Sequence, residues 1–138
     1  MVYPGGSVQI GGGFTARFQS PTAIRNFLPS GGTPAKLTRN YTDPKTNQLS
    51  NVFASQVLAL RLNVDFSNAG KLPQGLSALK MRTGKFAGWT VFDVLSTANF
   101  VLGGGQTPPN VTISDLNDAV TTINENFADG GNKGNLIP

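Results

Sequence analysis

The chain has 138 residues, lacks cysteine and histidine, and carries charge on only 13% of its residues, with a net charge of +4. The missing side chains are common metal ligands, the commonest general base and a strong nucleophile, so the composition argues against metal-dependent and nucleophilic chemistry. The 11 lysines and arginines are scattered, whereas a nucleic-acid surface usually needs a dense stripe, so we expect no nucleic-acid partner. No stretch approaches the roughly 20 apolar residues of a membrane span.

This length is typical of one domain, and we expect residues 1–138 to form a single domain. The first predicted element is a hairpin over Val8–Phe18, because apolar and polar residues alternate on both sides of Gly11–Gly13. A short helix is predicted next, with Ser20 as its N-cap and Pro21 in its first position.

The middle of the chain gives less regular signals. Residues 33–47 contain several turn-forming residues, and we expect a long ordered loop with a short strand near Leu37. The apolar spacing of Leu49–Phe66 predicts a helix to about Asn63, although its last residues also alternate as a strand would. Alternation in Leu76–Thr83 predicts a strand.

The two helices that follow have complete start signals. Thr90 and Asp93 have the spacing of a capping box, and Thr112 and Asp115 repeat it. Gly103 is placed to take the left-handed conformation that ends the first of these helices. Their apolar stripes are Val91, Val94, Leu95, Ala98 and Leu102 in the first, and Ile113, Leu116, Val120, Ile123 and Phe127 in the second.

The chain ends carry few structural signals. Gly130 and Gly131 are expected to stop the last helix, and Asn132–Pro138 to be irregular. We expect Met1–Gly6 and Asn132–Pro138 to be flexible, or to be exchanged between subunits of an assembly. Together, the elements predict an α+β fold in which several amphipathic helices pack with a small antiparallel sheet.

No motif predicts a catalytic, cofactor-binding or metal site. Asp115 and Asp118 lie three residues apart on a predicted helix, which is typical of a solvated polar face. The glycine runs Gly11–Gly13 and Gly103–Gly105 lack the spacing of phosphate-binding loops, and we interpret them as a turn and a helix stop.

Some residues could contact a partner or a glycan. The aromatic candidates Tyr3, Tyr41 and Trp89 could stack on sugar rings, although Trp89 also lies where a hydrophobic staple of the next helix would lie. We also predict that Arg17, Lys80, Arg82 and Lys85 share one outward sheet face, where they form a local basic surface or a solvated strand face.

Three stretches as a set resemble a poorly characterised segment of large secreted bacterial surface proteins, which often stands beside immunoglobulin-like or sorting modules. They are residues 22–34 (TAIRNFLPSGGTP), 52–66 (VFASQVLALRLNVDF) and 111–118 (VTISDLND). The resemblance runs from about Ser20 to Gly130 and implies no catalytic residues. Such flanking modules are absent from these 138 residues, which favours self-association over a spacer role.

We therefore expect a non-catalytic, extracellular structural protein whose copies assemble into a filament, tube or matrix. Sparse charge favours this role because it reduces repulsion between stacked copies. The alternative is a cell-surface adhesion or glycan-binding module. An enzyme would have to work with aspartate, lysine, tyrosine or serine alone, and we do not expect one.

Overall fold

The computed structural model describes residues 7–68, 78–128 and 136–137. Within these ranges the elements in chain order are β1 (Val8–Gly11), β2 (Thr15–Phe18), α1 (Pro21–Phe27), β3 (Tyr41–Thr42), α2 (Val52–Asn68), β4 (Lys80–Met81), α3 (Val91–Leu102), α4 (Ile113–Ala128) and β5 (Leu136–Ile137). The predicted α+β class is confirmed. The described strands form two sheets, β1–β2–β3 and β4–β5, and the first sheet is mixed rather than antiparallel throughout.

The predicted hairpin is confirmed in position and register. β1 and β2 pair antiparallel, with Val8 opposite Phe18 and Gln9 opposite Arg17. Gln9 and Arg17 are exposed, whereas Val8 and Phe18 are buried, so the alternation in the sequence corresponds to two faces of the hairpin.

The strand predicted near Leu37 is wrong. Leu37 is buried in a loop, and its backbone N–H donates to the carbonyl of Leu102 at 2.7 Å, where it satisfies one of the free carbonyls at the end of α3. The strand of this region is β3, which pairs parallel to β2 with Tyr41 opposite Ala16. A two-residue strand is too short to show an alternating pattern, so its pairing with a distant strand cannot be predicted from its own sequence.

Side-chain caps begin the first two helices. The hydroxyl of Ser20 accepts from the N–H of Ala23 at 3.1 Å, which confirms the predicted start of α1. In α2 the cap is Asn51, whose Oδ1 accepts from the N–H of Ala54 at 3.1 Å. The helix therefore begins at Val52, directly after Asn51 and inside the apolar segment Leu49–Phe66.

The predicted end of α2, at about Asn63, is wrong. The helix continues past Asn63 to Asn68, so the strand-like alternation near its end is helical. Arg61 and Asp65, one turn apart in this region, form an ion pair at 2.8 Å, which supports the helical conformation.

β4 and β5 are far apart in sequence, and they pair as a two-stranded antiparallel sheet. β4 is shorter than the predicted strand Leu76–Thr83: Lys80 and Met81 are its only residues among those described, and residues 76 and 77 lie outside the described part. The prediction of an irregular tail is wrong for Leu136–Ile137, because β5 pairs with β4 there. The rest of the tail, residues 1–6, and the predicted helix stop at residues 130 and 131 lie outside the described residues.

Both predicted capping boxes are confirmed. The hydroxyl of Thr90 accepts from the N–H of Asp93 at 3.0 Å, and the carboxylate of Asp93 accepts from the N–H of Thr90 at 3.1 Å. Thr112 and Asp115 make the same pair of bonds at 3.0 and 2.9 Å.

The predicted stripe of α3 is buried throughout, and so are Leu116, Val120 and Ile123 of α4. Ile113 is partly buried, and the side chain of Phe127 lies outside the described part.

The glycine that takes the left-handed conformation after α3 is not the predicted one. Gly103 has a φ of −76° and remains close to helical, whereas Gly104 has a φ of +109°. The left-handed residue therefore comes one position later than predicted, and Gly103 itself packs against the β1–β2 turn.

A polar contact fixes α2 against α4 beside the apolar core. The side-chain amide of Asn124 donates to the carbonyl oxygen and to Oε1 of Gln56, at 3.0 and 2.8 Å, and its oxygen accepts from Asn63 at 3.2 Å. These bonds satisfy a partly buried amide between the two helices. Asn126, two residues further along α4, is fully buried, and its side chain has no hydrogen-bond partner within the described part of the chain.

Candidate functional site

Among the predicted contact residues, Arg17 and Tyr41 lie on the first sheet. Arg17 is exposed on β2, and Tyr41 is partly buried on the neighbouring strand β3. The guanidinium of Arg39 lies 4.7 Å from the centre of the Tyr41 ring in a cation–π contact, so one face of that ring is already covered. Tyr3 lies outside the described residues.

Lys80 and Arg82 belong to a different part of the fold. Lys80 is exposed in β4, and Arg82 is exposed directly after it. Because β4 is part of the second sheet and Arg17 is part of the first, the predicted basic sheet face shared by these residues is wrong. Among the described residues, the predicted contact residues fall into two groups: Arg17 and Tyr41 lie on the first sheet, and Lys80, Arg82 and Trp89 lie in or beside β4.

The two glycine runs meet in space. A Cβ on Gly103 would lie 2.6 Å from the Cα of Gly12 in the β1–β2 turn, so the backbones approach closer than any other residue allows. The N–H of Phe14 donates to the Gly103 carbonyl at 2.9 Å, and the N–H of Gly11 donates to Oδ1 of Asn99 at 2.9 Å. Gly11–Gly13 therefore forms the β1–β2 turn and Gly103–Gly105 follows the end of α3, and the two runs also contact each other through their backbones.

Three exposed phenylalanines lie around this contact and along α3, and we call them the aromatic face: Phe14, Phe92 and Phe100. Phe92 is 60% exposed, Phe100 59% and Phe14 41%. Phe92 and Phe100 are eight residues apart in one helix, which places them about 12 Å apart along its outer side. Phe14 lies at the end of that helix, with its ring 3.6 Å from the position of a Cβ on Gly104.

The sequence predictions missed the aromatic face. Its signal was present, since Phe92 and Phe100 fall outside the apolar stripe of a helix whose buried side was predicted correctly. A large apolar residue on the polar side of an amphipathic helix is the observation that could have identified it.

A shallow groove of about 380 Å³ adjoins the start of α3. It is lined by Gly88, Trp89, Phe92, Asp93, Ser96 and Thr97. Trp89, a predicted contact residue, is held in the groove by an edge-on contact with Phe86, whose ring centre is 4.9 Å away. The groove thus combines two aromatic side chains with hydroxyl groups and a carboxylate.

A second cleft, of about 340 Å³, lies between the turn after β4 and α4, with Asp115 and Asp118 on its α4 side. Nζ of Lys85 lies 2.8 Å from Oδ2 of Asp115 and 2.8 Å from the carbonyl of Asn110. The hydrogen bonds from Lys85 and from the Thr112 N–H lower the pKa of Asp115. The Asp115 carboxylate therefore caps the start of α4 and pairs with Lys85.

Within the described ranges, no group of three or more acidic side chains is arranged to hold a metal ion. No helix among the same residues has the length and apolar character needed to cross a membrane. No protein-family model, curated protein or solved structure matches this chain. The resemblance to a segment of secreted bacterial surface proteins therefore stays a prediction.

Proposed function

We propose that this chain is a non-catalytic structural protein, acting outside the cell, whose copies associate into a filament, tube or matrix. The observation that carries the proposal is the aromatic face. Large apolar patches on a protein surface mark sites of association, whereas isolated apolar residues are ordinary. Three of the four large apolar side chains that are exposed in the described part of the chain lie on α3 or at its end, and we interpret this concentration as a site of association.

The charge distribution favours a second copy as the partner of this face. Asp93 is the only charged residue in the sequence of α3, and its carboxylate is already bonded to the backbone of Thr90. Because α3 contains no lysine or arginine, copies that each carry a net charge of +4 can meet along this helix without bringing positive side chains of α3 together. A strongly charged partner would find little on α3 to pair with.

The proposal is tested with Phe92→Ser/Phe100→Ser, because both side chains are exposed and their loss leaves the core intact. We expect the unmodified protein to form polymers visible by electron microscopy and recoverable by sedimentation at high concentration. The serine variant is expected to stay monomeric with an unchanged circular dichroism spectrum and melting temperature. The matched control is Phe92→Tyr/Phe100→Tyr, which keeps the aromatic area and is expected to keep assembly.

Two results would contradict the proposal. One is an unmodified protein that remains monomeric at every concentration and ionic strength tested. The other is a serine variant that assembles as well as the unmodified protein, since the aromatic face would then contribute nothing.

The groove beside Trp89 favours a second function, binding of a cell-surface glycan. Aromatic side chains can cover the apolar face of a sugar ring, while nearby hydroxyl and carboxylate groups fix its orientation. Trp89 and Phe92 supply the aromatic part, and Ser96, Thr97 and Asp93 supply the polar part.

The two functions are separable because Thr97 lines the groove and is not part of the aromatic face. A glycan array with the unmodified protein identifies the ligand, and Thr97→Val is expected to weaken that binding without changing assembly. Phe100→Ser is expected to do the reverse. An array without signal at high protein concentration would contradict glycan binding.

A further inference from the structure

β5 gives the chain a terminal strand that pairs with a distant edge. Lys80 lies opposite Ile137, and Met81 lies opposite Leu136 in the antiparallel register. Leu136 is 8% exposed and belongs to the core, whereas Ile137 is 41% exposed. The segment therefore docks by one buried side chain and a short backbone ladder.

The other edge of β4 is used by residues that follow it closely. The N–H of Met81 donates to the Trp89 carbonyl at 2.8 Å, and the N–H of Gly88 donates to the Met81 carbonyl at 2.9 Å. On the same side, the N–H of Val91 donates a hydrogen bond to the Leu79 carbonyl at 2.8 Å. Local chain thus fixes one edge of β4, while a remote segment completes the opposite edge.

A second copy of the chain can supply that segment equally well. The strand Leu136–Ile137 of another molecule would make the same two residue pairs and bury the same leucine, so the exchange keeps the contacts that hold β5 in the described part of the chain. Residues 129–135, which join α4 to β5, include three glycines in the sequence. Extended segments that complete the sheet of a neighbour are a common mode of assembly.

We propose that in the assembled state the Leu136–Ile137 strand of one copy pairs with β4 of the next copy. This inference rests on the self-association proposed above and names its second contact. A strand given to the next copy is a head-to-tail contact, which extends into an open polymer unless the rotation closes a ring.

The absence of cysteine makes the exchange directly testable. Lys80→Cys and Ile137→Cys place one thiol on each strand, at exposed positions directly opposite each other. The two single variants are purified separately, one of them labelled with nitrogen-15, then mixed under assembly conditions and mildly oxidised. We expect a disulfide-linked heterodimer, identified by its intermediate mass.

The matched control uses Gln9→Cys and Arg17→Cys, which are exposed and opposite each other in the β1–β2 hairpin. Hairpin strands that are adjacent in sequence stay within one molecule, so these single variants are expected to give only background heterodimer. The double variant Lys80→Cys/Ile137→Cys, oxidised in dilute solution, locks β5 onto its own chain. We expect it to lose polymer formation and to regain it after reduction.

Heterodimer no more abundant than in the hairpin control would overturn the exchange. A locked double variant that polymerises like the unmodified protein would also overturn the exchange. If those polymers still depend on Phe92 and Phe100, the proposed function stands without the exchange. Heterodimer formation without polymers at any concentration would support the exchange and contradict the proposed function.

Discussion

At the scale of single residues, Gly103 is a position where an added side chain has no room. Its backbone lies against the backbone of Gly12, so an added methyl group meets main-chain atoms that cannot rotate away. We expect Gly103→Ala to lower the free energy of unfolding by about 1–3 kcal/mol, the usual cost of overpacking. Urea denaturation followed by circular dichroism measures the change.

Gly31→Ala is the control for this substitution. Gly31 is exposed, and a Cβ added to it would lie more than 4 Å from any other atom that it could contact. We expect a change within about 0.5 kcal/mol, as for ordinary surface substitutions. Equal effects of the two alanines would show that the contact between the glycine runs contributes nothing to stability.

Residues whose roles depend on distant partners could not be predicted from the sequence. The side-chain amide of Asn51 donates to the Ala35 carbonyl, and Asn124 joins α4 to Gln56 of α2, yet both resemble ordinary surface asparagines in the sequence. The glycine runs were interpreted as a turn and a helix stop, but their contact joins segments about 90 residues apart. A pattern within ten residues carries no information about such a contact.

At the scale of elements, the sequence predicts those helices whose stabilising interactions lie within the helix itself, and it misses strands that depend on a distant partner. α3 and α4 were predicted with their caps, because a capping box and an apolar stripe lie within the helix itself. β3 and β5 were missed, since each is a two-residue strand stabilised by a partner far away in sequence. For the same reason the sequence placed Arg17 and Lys80 on one sheet, whereas they lie on two.

The start of α4 gives a prediction on pH. The pKa of Asp115 is lowered in the folded chain by its hydrogen bonds to Lys85 and to the Thr112 N–H. The unfolded chain therefore takes up the proton first, so this contribution to stability is present above the ordinary value of about 3.9 and is lost as the pH falls through the lower folded value. We expect thermal stability to fall in that acidic range, and Asp115→Asn to reduce the fall.

Asp118→Asn is the matched control, because Asp118 lies on the same helix and makes no ion pair within the described residues. It leaves the contacts of Asp115 intact, and we expect it to retain the acid-dependent loss attributed to Asp115. Melting temperatures of the three proteins between pH 2 and pH 7 decide the matter. An Asp115→Asn variant with the same acid-dependent loss as the unmodified protein would contradict the assignment.

At the scale of the whole molecule, the two proposed contacts have different consequences. The aromatic face can pair with the same face of a second copy, and such a self-complementary contact ends at a dimer. The β5 exchange is directional, and where the aromatic face already joins the copies it links dimers into an extended polymer. We expect loss of the exchange to leave dimers. We expect loss of the aromatic face to leave monomers, because the exchange replaces a pairing that each chain makes with itself and adds no new contact.

The balance between apolar contact and net charge predicts how assembly responds to salt. Charge-paired interfaces weaken in salt, because the screening length falls from about 8 Å at 0.15 M to about 3 Å at 1 M. Here the net charge of +4 opposes association and the aromatic face favours it. We therefore expect polymer mass to be maintained or to increase in 1 M sodium chloride, and to increase further with sodium sulfate, which strengthens apolar burial.

Sedimentation of the polymer across a salt series measures this response, with Phe92→Ser/Phe100→Ser as the control. Screening alone should not restore assembly to that variant, because the repulsion is reduced but the apolar contact is missing. Polymers that dissolve in 1 M sodium chloride would show that ion pairs, and not the phenylalanines, hold the copies together. A serine variant that salt restores fully would assign association to charge screening alone.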